Sequence, residues 1–129
     1  MSQENVTVVR NGYEAFRRGD AQAIFAALDP EVEFYQSEEV PWGGRYRGHQ
    51  EIGIFFQGLM STIESQVDPE QFVDSGDVIV AVGHTRGRAR ATGKEFDVPA
   101  VHVWTLKNGK GIRFAAYIDH PRMLAALQR

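Results

Sequence analysis

His102 is the residue of this sequence best suited to chemistry, because it stands among apolar residues in the stretch AVHVWTLKNGKGIRFAAYID (100–119). A neutral imidazole on an apolar wall can exchange a proton near neutral pH, since its pKa starts at about 6.5 and shifts with burial and neighbours. The alternative is a buried histidine that only hydrogen-bonds a hydroxyl or a carbonyl, as buried polar groups generally must. The residue types leave both interpretations open. With no carboxylate beside it, burial is expected to lower its pKa, which would make it a base.

Alternation along the chain decides which side chains share a face with His102, because successive residues of a strand point to opposite sides of a sheet. In the segments 95–106 and 112–118 the apolar residues fall at even positions. The pattern predicts one buried wall made of Val98, Ala100, His102, Trp104, Ile112, Phe114, Ala116 and Ile118. Asp119 and His120 are discounted as a catalytic pair, because parity turns Asp119 away from that wall.

The segment 78–91 has two contrasting faces. One carries His84, Arg86, Arg88 and Arg90, and the other carries Gly83, Thr85, Gly87 and Ala89. Small residues inside a curved sheet predict room for a ligand, although the close packing of a helix on the sheet would also require them. The arginine row is interpreted as a solvated or subunit-facing surface rather than a nucleic-acid site, because no aromatic residues are interleaved with it.

The first predicted strand, 31–37, offers a second polar pair. Tyr35 and Ser37 share one of its faces, where a phenol and a hydroxyl could polarise a carbonyl as an oxyanion hole does. Turned toward water, the same face would have no such role. Trp42, in the loop SEEVPWGGRYRG, would add surface for stacking an apolar ligand. Glu38 and Glu39 precede that loop, where neighbouring acids are usually solvated.

Apolar spacing predicts the helices that must cover this wall. The stripe of Val6, Val9, Tyr13 and Phe16 predicts a helix over 4–18 that stops at Gly19. Asp20 is a suitable N-cap for a short second helix ending at Asp29-Pro30. A third helix carries Ile52, Phe55, Phe56 and Leu59 on one face, and HPRMLAALQR predicts a short final turn of helix.

Strands are predicted over 71–73, 78–91, 95–106 and 112–119, joined by hairpin turns. The order of elements therefore predicts a single α+β domain over 1–129, in which a helical hairpin and a third helix lie on one face of a curved, mostly antiparallel sheet.

Composition limits the partners. The 129 residues include no cysteine and carry a net charge of −3, so disulfides and cysteine metal sites are excluded and no basic footprint for nucleic acid is present. The start of the chain has no signal-peptide pattern and no segment is apolar enough to span a bilayer. A cytoplasmic protein with no membrane partner is expected. No metal is expected either, because His49 has no second ligand at a suitable spacing.

Three stretches carry a family resemblance: YEAFRRGDAQAIFAALDPEVEF, WGGRYRGHQEIGIFF and RARATGKEFDVPAVHVWTLKNGKGIRFAAYID. Together they resemble the nuclear-transport-factor-2-like superfamily, and in detail its SnoaL-like polyketide cyclases and ketosteroid isomerases. The resemblance implies a cone whose open end admits a small apolar molecule, and a homodimer through the outer face of the sheet. Such a fold hosts many activities, so the site must be compared residue by residue.

The acid of a SnoaL-like cyclase, on the last strand, would correspond to Ala116, whereas the histidine of the preceding strand would correspond to His102. The arginine and aspartate of limonene epoxide hydrolases would correspond to Gly83 and Thr85. Ketosteroid isomerases have a base on the first strand, at Tyr35 here, and a tyrosine on the first helix, where this chain has Gly12 beside Tyr13. None of these three carboxylate designs is retained.

Two functions follow as expectations. The first is a cofactor-independent isomerase, cyclase or dehydratase acting on a small cyclic or polyketide-like molecule, with His102 as base and Tyr35 steadying the developing enolate. The second is a non-catalytic carrier or sensor of such a ligand. In both, the pocket is predicted to contain the buried wall together with Tyr13, Phe16, Ser37, Trp42, Phe56 and Thr85.

Overall fold

A computed structural model describes residues 2–129 and contains four helices and six strands in this range. The helices are α1 (Ser2–Arg17), α2 (Ala21–Ala26), α3 (Gly48–Thr62) and α4 (His120–Leu127). The strands are β1 (Leu28–Gln36), β2 (Gly44–Arg47), β3 (Ile63–Ser75), β4 (Val78–Ala89), β5 (Glu95–Lys107) and β6 (Lys110–Ile118). None of the helices described is long and apolar enough to cross a membrane.

The six strands form one curved sheet in the order β2-β1-β6-β5-β4-β3, which confirms the predicted α+β architecture. Every neighbouring pair is antiparallel except β1 and β6, which run parallel. The long strands β5 and β4 lie between β6 and the edge strand β3. Helices α1, α2 and α3 pack on strands of this sheet, and α4 packs on β4 and β5.

Local signals in the sequence position the helices close to the predicted places, except that α2 ends at Ala26 and Asp29-Pro30, predicted to end it, belong to β1. Val6, Val9 and Tyr13 of α1 are buried along one stripe. The Asp20 side chain accepts a hydrogen bond from the backbone N–H of Ala23, so it caps α2. Asp119 caps α4 in the same way, by accepting from the backbone N–H of Arg122.

One strand is longer than predicted, and another lies in a segment predicted to be a loop. The segment expected as 71–73 is the end of β3, a 13-residue edge strand whose first half is polar and contains Pro69. A proline is tolerated there because an edge strand leaves one row of N–H groups unpaired, and the pairing with β4 shifts register next to it. The short strand β2, within the loop after β1, pairs with β1 at the other edge.

Gly83 and Gly87 are explained by the sheet itself and not by space for a ligand. Each pairs with β3, Gly83 with Pro69 and Gly87 with Ser65. A Cβ at either glycine would overlap backbone atoms of β3. The two glycines are therefore required by a close approach between β3 and β4, whereas a pocket was the favoured prediction for this face and helix packing its alternative; Thr85, on the same face, does line the cavity.

The core consists of two apolar clusters that meet at Trp104. The larger one gathers α3, β1, β6 and α4 and includes Phe34, Phe55 and Phe114. The smaller one joins α1 to β4 through Val9 and Ile79. Trp104 packs against both clusters, so the wall that contains His102 lies where they come together.

Candidate functional site

A cavity of about 120 Å³ lies between the helices and the inner face of the sheet. Its wall is almost wholly apolar, and the described residues that line it include no Asp, Glu, Lys or Arg. The exceptions to the apolar lining are Tyr13, Gln36, Ser65, Thr85 and His102, together with the two indole N–H groups. These few polar groups are therefore the ones that could orient a ligand.

The structure brings ten of the predicted residues to this cavity: Tyr13, Phe16, Trp42, Phe56, Thr85, His102, Trp104, Phe114, Ala116 and Ile118. Val98 and Ala100 belong to the same face of β5 but are buried in the wall and do not border the open space. Ile112 leaves the inner face, because a register shift beside it places Gly111 opposite Leu106. The exposed Arg86, Arg88 and Arg90 lie outside, where they pair with acidic side chains.

Tyr35 and Ser37 lie outside the cavity, which corrects two predictions. In the pairing of β1 with β6, Phe34 is opposite Phe114 and Gln36 is opposite Ala116, so the even residues of β1 face inward. The Tyr35 ring instead lies under the guanidinium of Arg45 on the outer face. Ser37 follows the strand, and its hydroxyl accepts from the backbone N–H of Glu39. Tyr35 is thus not positioned to steady an enolate.

Gln36 is the inward residue that the sequence analysis missed. It is only 4% exposed, and its Oε1 accepts a hydrogen bond of 3.0 Å from the indole N–H of Trp42. A signal for it exists in the sequence: Val32 and Phe34 are the apolar positions of this strand, and Gln36 shares their parity. Ser65, on β3, also borders the cavity and was not predicted, although a signal exists, because Ile63, Ser65 and Val67 alternate with Glu64, Gln66 and Asp68.

Tyr13, His102 and Trp104 form a hydrogen-bonded chain on the cavity wall. The Trp104 indole N–H donates to the Tyr13 hydroxyl oxygen at 3.0 Å, and that hydroxyl lies 2.7 Å from Nδ1 of His102. An indole can only donate, so the Tyr13 oxygen accepts there and its O–H is free to donate to Nδ1. This assignment gives the Tyr13 O–H an acceptor, which it otherwise lacks, and leaves the imidazole proton on Nε2. His102 was predicted to act as a base, whereas in this tautomer its remaining nitrogen, Nε2, is a hydrogen-bond donor.

Burial shifts the pKa values of His102 and Tyr13, the two titratable groups of this hydrogen-bonded row, in opposite directions and away from neutral pH. Desolvation lowers the pKa of His102 to about 4, which agrees with the expectation from the sequence. Desolvation also raises the pKa of Tyr13, and the hydrogen bond from Trp104 opposes that rise only in part. Both side chains are therefore neutral at pH 7.

The other titratable candidates lie away from the cavity. Nε2 of His49 hydrogen-bonds the backbone carbonyl of Leu28, and Glu39 reaches Nδ1 of His120 at 3.1 Å. On the outer face Asp97 binds both Arg86 and His84, and the Arg86 hydrogen bond is the main cause of a lowered Asp97 pKa. Within residues 2–129, no group of three or more His, Asp or Glu is arranged to hold a metal ion.

Comparison with solved structures supports the fold over the whole chain. An NTF2-like protein of unknown function from Burkholderia pseudomallei is 32% identical, with 100% of both chains covered and a TM-score of 0.92. An NTF2-like protein from Burkholderia xenovorans is 28% identical over 99% of this chain and 98% of its own, with a TM-score of 0.89. TerC, co-crystallised with polyporic acid, is 24% identical over 98% of this chain and 99% of its own, with a TM-score of 0.90.

None of the curated proteins matches the chain significantly. Residues 9–114, which run from the middle of α1 into β6, match the family described as the SnoaL-like domain. That range contains Tyr13, Gln36, His102 and Trp104, and ends just before Ala116. The match confirms the resemblance seen in the sequence, and the chain belongs to the SnoaL-like domain family.

Proposed function

We propose that this protein binds a small, largely apolar molecule in the cavity and acts as its carrier or sensor. The observation that carries the proposal is the composition of the wall: of the described residues that line it, only Tyr13 and His102 are titratable, and they are hydrogen-bonded to each other. Their pKa values are shifted so that neither exchanges a proton near pH 7. Binding without proton transfer fits such a wall better than general acid–base catalysis does.

The size of the cavity limits the ligand. An apolar cavity of about 150 Å³ is large enough to bind benzene. The cavity here, at about 120 Å³, is slightly smaller and suits a single ring, whereas a molecule of several fused rings would require the walls to move. That TerC was co-crystallised with polyporic acid supports a small-molecule ligand for this fold. The absence of cysteine suits a reducing compartment, and we propose the cytoplasm.

A proton-transfer enzyme is the second candidate, because the imidazole of His102 borders the cavity and the family resemblance includes cyclases and isomerases. Against it, the position of the family acid is Ala116, and Tyr35 lies on the other face. Turnover of a small cyclic ketone that is lost in His102→Ala would favour this enzyme over the carrier.

Binding of an apolar ring is the first test of the proposal. In a ¹⁹F NMR titration, fluorobenzene is expected to bind saturably, and Ala116→Leu should weaken that binding at least about tenfold because the larger side chain fills the cavity. Ala115→Leu is the matched control, because Ala115 is the neighbouring residue and faces the opposite side of β6. No saturable binding by the wild type, or equal weakening in both variants, would contradict the proposal.

We propose also that the protein is a homodimer through the outer face of the sheet. Tyr117 there is 52% exposed and Val73 is 40% exposed, and Val101 and Val103 of β5 are only half-buried. Apolar side chains in such an exposed row are typical of a surface that a second copy covers. Light scattering at micromolar concentration is expected to give twice the mass of the chain, and Tyr117→Lys should reduce it. A monomeric wild type would exclude this dimer.

A further inference from the structure

We infer that the ligand is a ring compound with an uncharged carbonyl group, whose oxygen lies over Ala116 and accepts hydrogen bonds from the side-chain amide of Gln36 and from Nε2 of His102. The inference rests on the proposed function, because it assigns the class of ligand and its orientation within the same cavity. It concerns two donors that meet only through the pairing of β1, β6 and β5.

The sheet register places the three residues in one row across the inner face. Gln36 of β1 is opposite Ala116 of β6, and Ala116 is opposite His102 of β5. Neighbouring strands are about 4.8 Å apart, so the backbone of Gln36 and that of His102 are separated by about 10 Å. The methyl group of Ala116 leaves the space between the two longer side chains open. All three residues line the cavity.

Each long side chain in the row has one polar atom already paired and one left over. Oε1 of Gln36 accepts from the indole of Trp42, which can only donate, so the unpaired atom is the NH₂ group. Nδ1 of His102 is paired with the hydroxyl of Tyr13, so the unpaired atom is Nε2, which carries the proton.

Both leftover nitrogens retain access to the cavity. Gln36 is 4% exposed and His102 is 8% exposed, and no residue among 2–129 forms a hydrogen bond with either nitrogen. The one fully enclosed, unpaired side-chain nitrogen or oxygen in the described range is Nε2 of His120, on another part of the chain. The nitrogens of Gln36 and His102 are thus nearly buried donors with open space before them, and a buried donor is costly when it lacks an acceptor.

The chemistry of the row selects the ligand. Because the row offers two N–H donors and no carboxylate, the ligand must supply the hydrogen-bond acceptor. An anionic acceptor is disfavoured, because no Lys or Arg is among the described lining residues and His102 is neutral at pH 7. A carbonyl oxygen is uncharged and has two lone pairs, so it can accept from both donors while its ring remains against the aromatic wall.

The experiment compares two probes of nearly equal shape, 4′-fluoroacetophenone and 4-fluoro-α-methylstyrene, which differ in having C=O or C=CH₂. Their dissociation constants are measured by ¹⁹F NMR, and the ratio between them cancels the hydrophobic contribution that they share. We expect Gln36→Leu and His102→Phe each to lower the preference for the ketone about tenfold, the value of one hydrogen bond. Gln57→Leu is the matched control, since Gln57 is an exposed residue of α3 that does not line the cavity, and its loss should leave the ratio unchanged.

The outcomes separate this inference from the proposed function. If neither probe binds the wild type, the proposed function fails. If both bind and neither Gln36→Leu nor His102→Phe lowers the ratio, or Gln57→Leu lowers it equally, the cavity binds apolar rings and the carbonyl site is wrong. Should His102→Phe not fold, ¹⁵N-histidine NMR of the wild type replaces it. The Nε2–H resonance should then move when the ketone binds and stay in place with the alkene, and equal responses would overturn the inference.

Discussion

Replacing Gly87 with alanine is expected to lower the free energy of unfolding by about 3 kcal/mol, because the new methyl group would overlap the backbone of the neighbouring strand. The atoms in its way are the carbonyl of Glu64 and the Cα of Ser65, which cannot rotate aside as a flexible side chain would. Relief requires β3 and β4 to separate where they are paired by hydrogen bonds. Chemical denaturation measured by circular dichroism gives the difference directly.

Gly53→Ala in α3 is the matched control for that substitution. Gly53 lies inside α3, and apart from the backbone of this helix and the two neighbouring residues, a Cβ there would have no described atom within 4 Å. Alanine there should stabilise the protein by about 0.5 to 1 kcal/mol, because it restricts the unfolded chain and suits a helix better. If Gly87→Ala behaves like Gly53→Ala, the close approach of β3 to β4 does not exist, and the small residues of β4 would again indicate space for a ligand.

Acidification is expected to destabilise the protein through His102. The pKa of this residue is about 4 in the folded protein and about 6.5 in the unfolded chain, so between these values the unfolded chain binds the additional proton. The contribution is fully present above pH 6.5 and is lost as the pH falls toward 4, a decrease of about 3 kcal/mol. His102→Gln should remove this dependence, seen as the difference between the two unfolding free energies at each pH. An NMR titration midpoint of the ring at or above 6.5 would contradict the prediction.

Ala116→Asp should raise the pKa of His102 instead of leaving it low. Residue 116 is directly opposite His102 in an antiparallel pair, which brings the two side chains within reach of each other. A carboxylate there favours the charged imidazole, so the pKa of His102 should rise from about 4 to above its ordinary value. Ala116→Asn has nearly the same shape and no charge, and should leave the pKa low. Equal His102 pKa values in the two variants, read from ¹⁵N NMR, would mean that position 116 does not face the ring.

The wall of the cavity could be predicted from the sequence because a strand has a period of two. Once Trp104 and Phe114 are assigned to the buried side, parity assigns His102 and Ala116 to it as well, and the structure places all four there. The same rule, applied to Val32 and Phe34, would have selected Gln36 on β1. Tyr35 was chosen from the resemblance to a family instead, and one residue of difference moves a side chain to the opposite face.

The two-residue alternation is interrupted or weak at two places in the sheet. Ile112 left the buried face because it is itself the extra residue of a bulge in β6: Thr105 pairs with Arg113 and Leu106 with Gly111, so Ile112 has no partner on β5. The first half of β3 alternates as well, but it has only two apolar side chains, Ile63 and Val67, before Pro69, which is too short a pattern to predict a strand next to a proline. The register shift has no signature in the residues themselves.

The sequence by itself determined the order of the helices and of the strands other than β2, most of the inner wall and the low pKa of His102, because all three depend on local periodicity and on burial among apolar neighbours. Only the tertiary structure decided what His102 binds and which of its nitrogens is free. Tyr13 is 89 residues away in the chain, and its hydroxyl reaches Nδ1 because α1 packs across β4 and β5 at one particular position. A hydrogen bond depends on tenths of an ångström, and such a distance is set by how the elements pack together, which no pattern along the chain specifies.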